Sequence, residues 1–286
     1  MSSQVRLIVD IRPVAGALGA EVFGIDLGAH LSNSQRDAVH NAFIEHHVLF
    51  FREQRMTPNQ QLDFTRVFGE PDVYPFMEGL EGTPEVIDII KTEDDTVNFG
   101  GSWHSDTAYM PKPARGTVLY ALEVPTQGGD TLFANTAAAY AALSPGMQAM
   151  LGRLTGVFSS DNGYGGSRAK AMARLNGMKS AFNAEAASFE SEHPIVRTHP
   201  ETGEKSLYVS RGHTAHFKNM TMEESRPLIE FLANHITRPE FTCRFRWTPG
   251  AVAVWDNRTT QHYAVNDYAG HRRHMRRVTM QGDRPV

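Results

Sequence analysis

Trp103-His104-Ser105-Asp106 is the stretch that decides how this chain folds, because the residue that completes it, His262, lies far downstream. Two imidazoles and one carboxylate, from His104, Asp106 and His262, suit one side of a divalent iron and leave the other coordination positions open for a cosubstrate and dioxygen. A purely structural zinc site would be closed by its protein ligands. On a strand, residues two apart point to the same face, so His104 and Asp106 converge while Ser105 turns away. Bringing His262 to them requires a fold in which strands distant in sequence meet. His-x-Asp by itself is a weak signal in a chain with 13 histidines and 32 acidic residues. Either histidine alone reads as a hydrogen-bonded surface side chain, and the combination with the arginines further on gives the motif its weight.

Outward from this motif the chain reads as many short strands with a few helices. A glycine-rich approach through Gly79, Gly82, Gly100 and Gly101 predicts a loop that folds over the site. Residues 116–124 alternate as a strand, and Gly128-Gly129-Asp130-Thr131 marks a turn into Leu132 and Phe133. Phe241, Cys243, Phe245 and Trp247 alternate with polar residues, which puts Cys243 in the core. Residues 251–255 form a buried strand, and residues 276–280 another after a loop containing His262. If the second of these begins at Arg273, then Arg273, Met275 and Arg277 share a face and two arginines look inward together. Buried guanidinium groups need anionic partners; the plain alternative for Arg272, Arg273, Arg276 and Arg277 is a solvated basic face.

Upstream, residues 5–11, 20–23 and 48–51 read as strands. Ser34 with Asp37 resembles a helix cap preceding Val39, Ala42 and Phe43. Thr57-Pro58 with Gln60 opens a helix through a capping box, closed by Gly69. Ser144-Pro145 starts a helix with Met147, Met150, Leu151 and Leu154 on one face, and Thr221 with Glu224 starts another with Leu228, Ile229, Phe231 and Leu232 inward. Residues 195–198 and 206–209 flank Pro200-Glu201-Thr202-Gly203 as a β-hairpin. Residues 160–192, with Gly163, Gly165 and Gly166, carry little β pattern and are expected to form a lid or excursion. The whole predicts a mainly β architecture with flanking helices (α+β), closed or nearly so, as a single domain over residues 1–286.

At 286 residues and 41% hydrophobic composition the chain can bury one large core. A net charge of -4 speaks against nucleic acid or a membrane surface as partner and in favour of a small molecule. Cys243 is the only cysteine, so no intrachain disulfide is possible. No apolar run approaches the ~18 residues of a membrane span. Met1-Ser2-Ser3-Gln4 lacks the basic-then-apolar pattern of a signal peptide, and a cytoplasmic location is expected. Gly163-Tyr164-Gly165-Gly166 lacks the Gly-Lys-Ser/Thr ending of a phosphate loop, and His213-Thr214-Ala215-His216 could imitate a second metal pair.

Trp103-His104-Ser105-Asp106, Gly128-Gly129-Asp130-Thr131 and Trp255-Asp256-Asn257-Arg258, running through His262 to Arg273-His274-Met275-Arg276-Arg277, together resemble the iron(II)- and 2-oxoglutarate-dependent dioxygenases of the taurine dioxygenase/TfdA family. The likeness extends from Gly19-Ala20-Glu21 to Gly282-Asp283. It implies a double-stranded β-helix (jelly roll, cupin-like), Fe(2+) held by His104, Asp106 and His262, and 2-oxoglutarate and O2 as cosubstrates. Thr131 and Arg273 are implied to hold the distal carboxylate of 2-oxoglutarate, a role that the planar guanidinium fork suits. Arg277 matches the position that grips the acidic group of the substrate in sulfonate-oxidising relatives. Tyr74 stands where those relatives carry a histidine, Gly100 takes the place of an asparagine with Asn98 nearby, and His213 falls near the substrate end.

The expected reaction is hydroxylation of a small anionic organic substrate, a sulfonate, an aryloxyalkanoate or a related acid, with release of succinate and CO2. The alternatives are a biosynthetic desaturase or cyclase of the same family and a non-catalytic small-acid-binding protein. The resemblance also implies a homo-oligomer, dimer or tetramer.

Overall fold

The computed structural model of the protein describes residues 9–161, 177 and 189–286. Most of the expected lid at 160–192 lies outside the described residues, while its last residues belong to a strand that starts at Glu190. The strands are β1 (Asp10–Pro13), β2 (Ala20–Phe23), β3 (Val48–Phe51), β4 (Pro71–Asp72), β5 (Val86–Lys91), β6 (Gly116–Glu123), β7 (Thr131–Asn135) and β8 (Thr155–Ser159). They continue as β9 (Glu190–Pro194), β10 (Val196–Thr198), β11 (Lys205–Leu207), β12 (Thr214–Phe217), β13 (Thr242–Phe245), β14 (Val252–Asp256), β15 (Thr260–Ala264) and β16 (Arg273–Met280).

An eight-stranded sheet runs β1-β2-β3-β14-β6-β16-β4, with β5 also paired to β16. A three-stranded sheet runs β13-β7-β15, another β12-β8-β9, and β10-β11 form the expected hairpin. The β2–β3 pair is parallel and the other ladders are antiparallel.

Strand periodicity explains the layering. In β3, Val48 and Phe50 point to one side and Leu49 and Phe51 to the other; Ala253 and Trp255 alternate in the same way with Val252 and Val254 in β14. The first set packs on the β13-β7-β15 sheet: the ring of Phe50 stacks on Phe245 at 4.1 Å and lies 5.7 Å from Phe133, which in turn meets Trp255 at 5.6 Å. The second set packs on helices α1 (Asn33–His46) and α2 (Pro58–Thr65) through Val39, Phe43 and Phe64. The central strands of the large sheet are therefore buried on both faces, which is why they read as continuous apolar runs instead of alternating ones. Cys243 lies in the inner core as expected, and burial pushes its thiol up to about 12.

α2 opens with the expected Thr57–Gln60 capping box. α1 is capped two residues earlier than Ser34 and Asp37 suggest: Ser32 and Gln35 bond reciprocally, the Gln35 amide reaching back to the Ser32 N–H at 3.0 Å. A glutamine long enough to close the box outcompetes the shorter aspartate. The other α-helices among the described residues are α3 (Thr136–Ala141), α4 (Pro145–Leu151) and α5 (Met222–Ile236). Met150 and Phe231 are exposed rather than inward. The apolar stripe on α4 and α5 is wider than the neighbouring elements that cover it, so Leu151, Ile229 and Leu232 are buried and the flanking positions are not. Among the described residues no helix is long and apolar enough to cross a membrane.

Candidate active site

His262 is not in a loop: it sits on β15, opposite Phe133 of β7. The backbones of His104 and His262 exchange two hydrogen bonds, of 3.1 and 2.9 Å, so the Trp103 to Asp106 segment docks beside β15 like a one-residue strand. The two imidazoles come together with ring centres 4.2 Å apart. Asp106 Oδ1 lies 3.6 Å from His104 Nε2 and 3.7 Å from His262 Nε2. One ligating atom from each of the three lies within 4.8 Å of the others, and all three residues are buried.

Hydrogen bonds aim His104 and Asp106, whereas His262 Nδ1 has no hydrogen-bond partner among the described residues. His104 Nδ1 donates to the Ser102 carbonyl at 2.6 Å, which fixes the tautomer and leaves the Nε2 lone pair facing the cluster. Asp106 Oδ2 accepts from Thr117 Oγ1 at 2.7 Å and Asn257 Nδ2 at 3.2 Å. Asn257 Oδ1 accepts from the Asp106 backbone N–H at 3.2 Å and the Trp255 indole at 3.1 Å. Ser105 turns away to bond the Thr260 carbonyl. The carboxylate thus offers Oδ1 to the two imidazoles while Oδ2 is engaged. Burial pushes the Asp106 carboxyl up, but the Arg277 guanidinium, His262 and His104 outweigh it and hold the group well below the usual carboxylate range. Burial, reinforced by His104, pulls His262 down to about 3, so it is neutral and able to donate a lone pair.

A pocket opens beside this trio, lined by His104, His262, Trp255, Leu119, Ile89, Phe99, Gly100, Ala264, Thr131, Arg273 and Arg277. The alternation expected for Arg273, Met275 and Arg277 holds: all three are buried on one face of β16 while His274 and Arg276 are half-buried on the other. Burial pulls Arg273 below its ordinary value against Tyr268 and Asp130, and its Nε and Nη2 have no hydrogen-bond partner among the described residues. Thr131 Oγ1 accepts from the Trp247 indole at 2.9 Å, which leaves its own O–H to donate. Arg277 sits 5.2 Å from the Tyr74 ring and 5.7 Å from Phe99, and its Nη2 comes within 2.7 Å of Asp106 Oδ1 without hydrogen-bond alignment.

The other expected substrate contacts are less direct. His213 meets His104 edge to face at 5.7 Å and Tyr109 at 5.0 Å. Asn98 donates to the Ala264 carbonyl at 2.9 Å and is not among the residues lining the cavity. Thr117, Trp247, Leu119 and Asn257 had no assigned part in the sequence reading. For Asn257 a signal existed, since it lies inside the Trp255 to Arg258 motif.

A buried cluster of two imidazoles and one carboxylate that could hold a metal ion thus stands beside two inward arginines. Comparison with known proteins makes this specific. Residues 10–279 match the model of the family described as taurine catabolism dioxygenase TauD, TfdA family. The chain is 36% identical to an alpha-ketoglutarate-dependent sulfate ester dioxygenase of Pseudomonas putida, over 98% of this chain and 92% of that protein. It is also 36% identical to an alkylsulfatase of Acinetobacter baylyi, over 96% and 86%. The crystal structure of a taurine dioxygenase from Burkholderia xenovorans superposes with a TM-score of 0.81 at 35% identity, covering 97% of this chain and 92% of that one. The chain belongs to the TauD, TfdA family and is an α-ketoglutarate-dependent dioxygenase, an oxidoreductase.

Proposed function

We propose that His104 Nε2, Asp106 Oδ1 and His262 Nε2 hold ferrous iron, and that Thr131 and Arg273 hold the distal carboxylate of 2-oxoglutarate. The anionic group of an organic substrate would lie at Arg277. The observation that carries this reading is the convergence of three buried ligating atoms within 4.8 Å beside a guanidinium whose Nε and Nη2 lack a partner. Both groups fit: the donor set is two imidazoles and one carboxylate, and a buried cation calls for an anion. When bound, iron and 2-oxoglutarate reduce O2 so that one oxygen atom enters succinate, with loss of CO2, and the other is available to a substrate C–H bond.

The residues of the chain bind, orient and keep water out. Arg277 supplies charge between the Tyr74 and Phe99 rings, a combination suited to an anionic head on an apolar body. The Pseudomonas and Acinetobacter relatives favour an alkyl sulfate ester, ahead of a sulfonate or an aryloxyalkanoate. Hydroxylation of the carbon that bears the ester oxygen gives a hemiacetal sulfate, which expels hydrogen sulfate and leaves an aldehyde. The same reading treats the eight-stranded sheet and the β13-β7-β15 sheet as the two walls of a double-stranded β-helix. It also carries a cytoplasmic location, where ferrous iron stays reduced, and a homo-oligomer of two or four chains.

The test supplies purified protein with ferrous iron, 2-oxoglutarate and O2 and screens alkyl sulfates, alkyl sulfonates and aryloxyacetates for anion-dependent succinate. Sulfate release should match succinate for the alkyl sulfates. Asp106→Ala should abolish succinate while the circular dichroism spectrum stays unchanged; turnover by that variant, or no succinate with any anion, would overturn the reading.

A further inference from the structure

We propose that Lys91 is a second cationic anchor for the distal carboxylate of 2-oxoglutarate, an inference that rests on the cosubstrate assignment above. The β5–β16 ladder sets Lys91 directly opposite Arg273, Ile89 opposite Met275 and Ile87 opposite Arg277. Lys91, Ile89 and Ile87 are buried at alternate positions along β5, and Ile89 lines the same cavity as Arg273. Directly opposed residues have Cβ atoms about 4.5–5.5 Å apart, a spacing at which like charges repel.

Lys91 is only 4% exposed, and its Nζ has no hydrogen-bond partner among the described residues. Its closest recorded companion is the Tyr268 ring, 4.6 Å from Nζ. Of the acids around the pair, Asp130 acts on Arg273 and gives its Oδ2 to Arg244, while its buried Oδ1 has no hydrogen-bond partner among the described residues; Asp95 Oδ2 accepts from the Thr92 backbone and hydroxyl. An aromatic face offsets part of the cost of a buried ammonium. It does not offset a second cation directly across the ladder. An anion beside both turns that repulsion into attraction, and the cavity that reaches Arg273 also reaches His104 and His262. The arrangement selects an oxoacid with a second carboxylate at its far end.

The experiment compares wild type, Lys91→Met and Lys91→Arg, each loaded with ferrous iron without oxygen. Binding of 2-oxoglutarate and of 2-oxopentanoate, which lacks the distal carboxylate, is followed by the visible charge-transfer band. Lys91→Met should weaken 2-oxoglutarate by about tenfold or more, the usual weight of a charge-assisted contact, and leave 2-oxopentanoate unchanged. Lys91→Arg should keep the preference for 2-oxoglutarate. Free of ligand, Lys91→Met should melt at or above the wild-type temperature because the repulsion is gone, whereas a merely structural lysine predicts the reverse. Equal weakening of both ligands, unchanged 2-oxoglutarate binding, or a variant that melts lower or does not fold would overturn the proposal. A wild-type protein that binds neither oxoacid would instead overturn the cosubstrate assignment, and this proposal with it.

Discussion

Replacing Asn257 by Ala separates the geometry of the proposed iron site from its ligand list. Asn257 touches none of the open ligating atoms; it holds Asp106 Oδ2 through Nδ2, and through Oδ1 it accepts from the Asp106 backbone and the Trp255 indole. The truncation leaves two buried N–H groups without an acceptor, at about 1–3 kcal/mol each, so stability to urea should fall by about 2–6 kcal/mol. Partners that orient metal ligands typically contribute 10–100-fold to metal affinity. Thr117 still donates to Oδ2 at 2.7 Å, which puts Asn257→Ala near the lower end. Adding Thr117→Val frees Oδ2 altogether and should approach 100-fold, whereas Thr117→Ser keeps the hydroxyl and should retain wild-type affinity. Ferrous affinity would be measured by anaerobic competition with a colorimetric chelator, at a temperature where every variant is folded. Full affinity in a folded double variant would refute the idea that fixing Oδ2 directs Oδ1 to the metal.

Arg273→Lys keeps a charge but loses the planar fork, and should raise the KM for 2-oxoglutarate about tenfold with little change in kcat, read by succinate release. His193 Nε2 donates to the Met110 carbonyl, 3.0 Å away, and burial takes the imidazole down to about 4 despite that contact. Its folded pKa lies below the unfolded value of 6.5, so the unfolded chain takes the proton first. The stability this residue confers should be complete above pH 6.5 and decline as pH falls towards 4, and urea midpoints for His193→Gln should decline less over that window. Asp256→Ala should cost about 3–5 kcal/mol in urea melts, because it strips the fully buried Arg258 of the carboxylate that binds its Nε and Nη2. Glu201→Gln, at a partly exposed contact of the same guanidinium, should cost far less.

What the sequence made legible was hydrophobic periodicity and chemistry that stands on it. Residues 48–51 and 251–255 announced buried strands because both their faces meet apolar layers, and Arg273 and Arg277 announced an inward face because a strand repeats every two residues. The same signal missed β15. Its residues are buried by polar pairing: Thr260 Oγ1 donates to the Asp256 carbonyl, Gln261 to the Val209 carbonyl, and Ser105 to the Thr260 carbonyl. A strand whose interior is satisfied by hydrogen bonds carries no apolar alternation, so His262 was expected in a loop. The capping box of α1 was misplaced for a related reason, since two serines and two acceptors within reach of each other satisfy the same local pattern. Lys91 was invisible altogether, because the glycine-rich stretch up to Gly101 reads as an irregular approach to the site and hides β5 within it.

The ladder around β16 explains why the arginine face is dependable. Against β6 the register shifts between His274 and Met275, with Leu122 left unpaired on β6, whereas against β5 the pairing from Arg273 to Val278 is unbroken. A one-residue slip on the β5 side would turn Arg273 and Arg277 away from the cavity and bring His274 and Arg276 into it. The cost of such a slip is large, because Met275 and Val278 would leave the positions where they are fully buried. The hydrophobic positions of β16 and its partners therefore hold the charged ones in place.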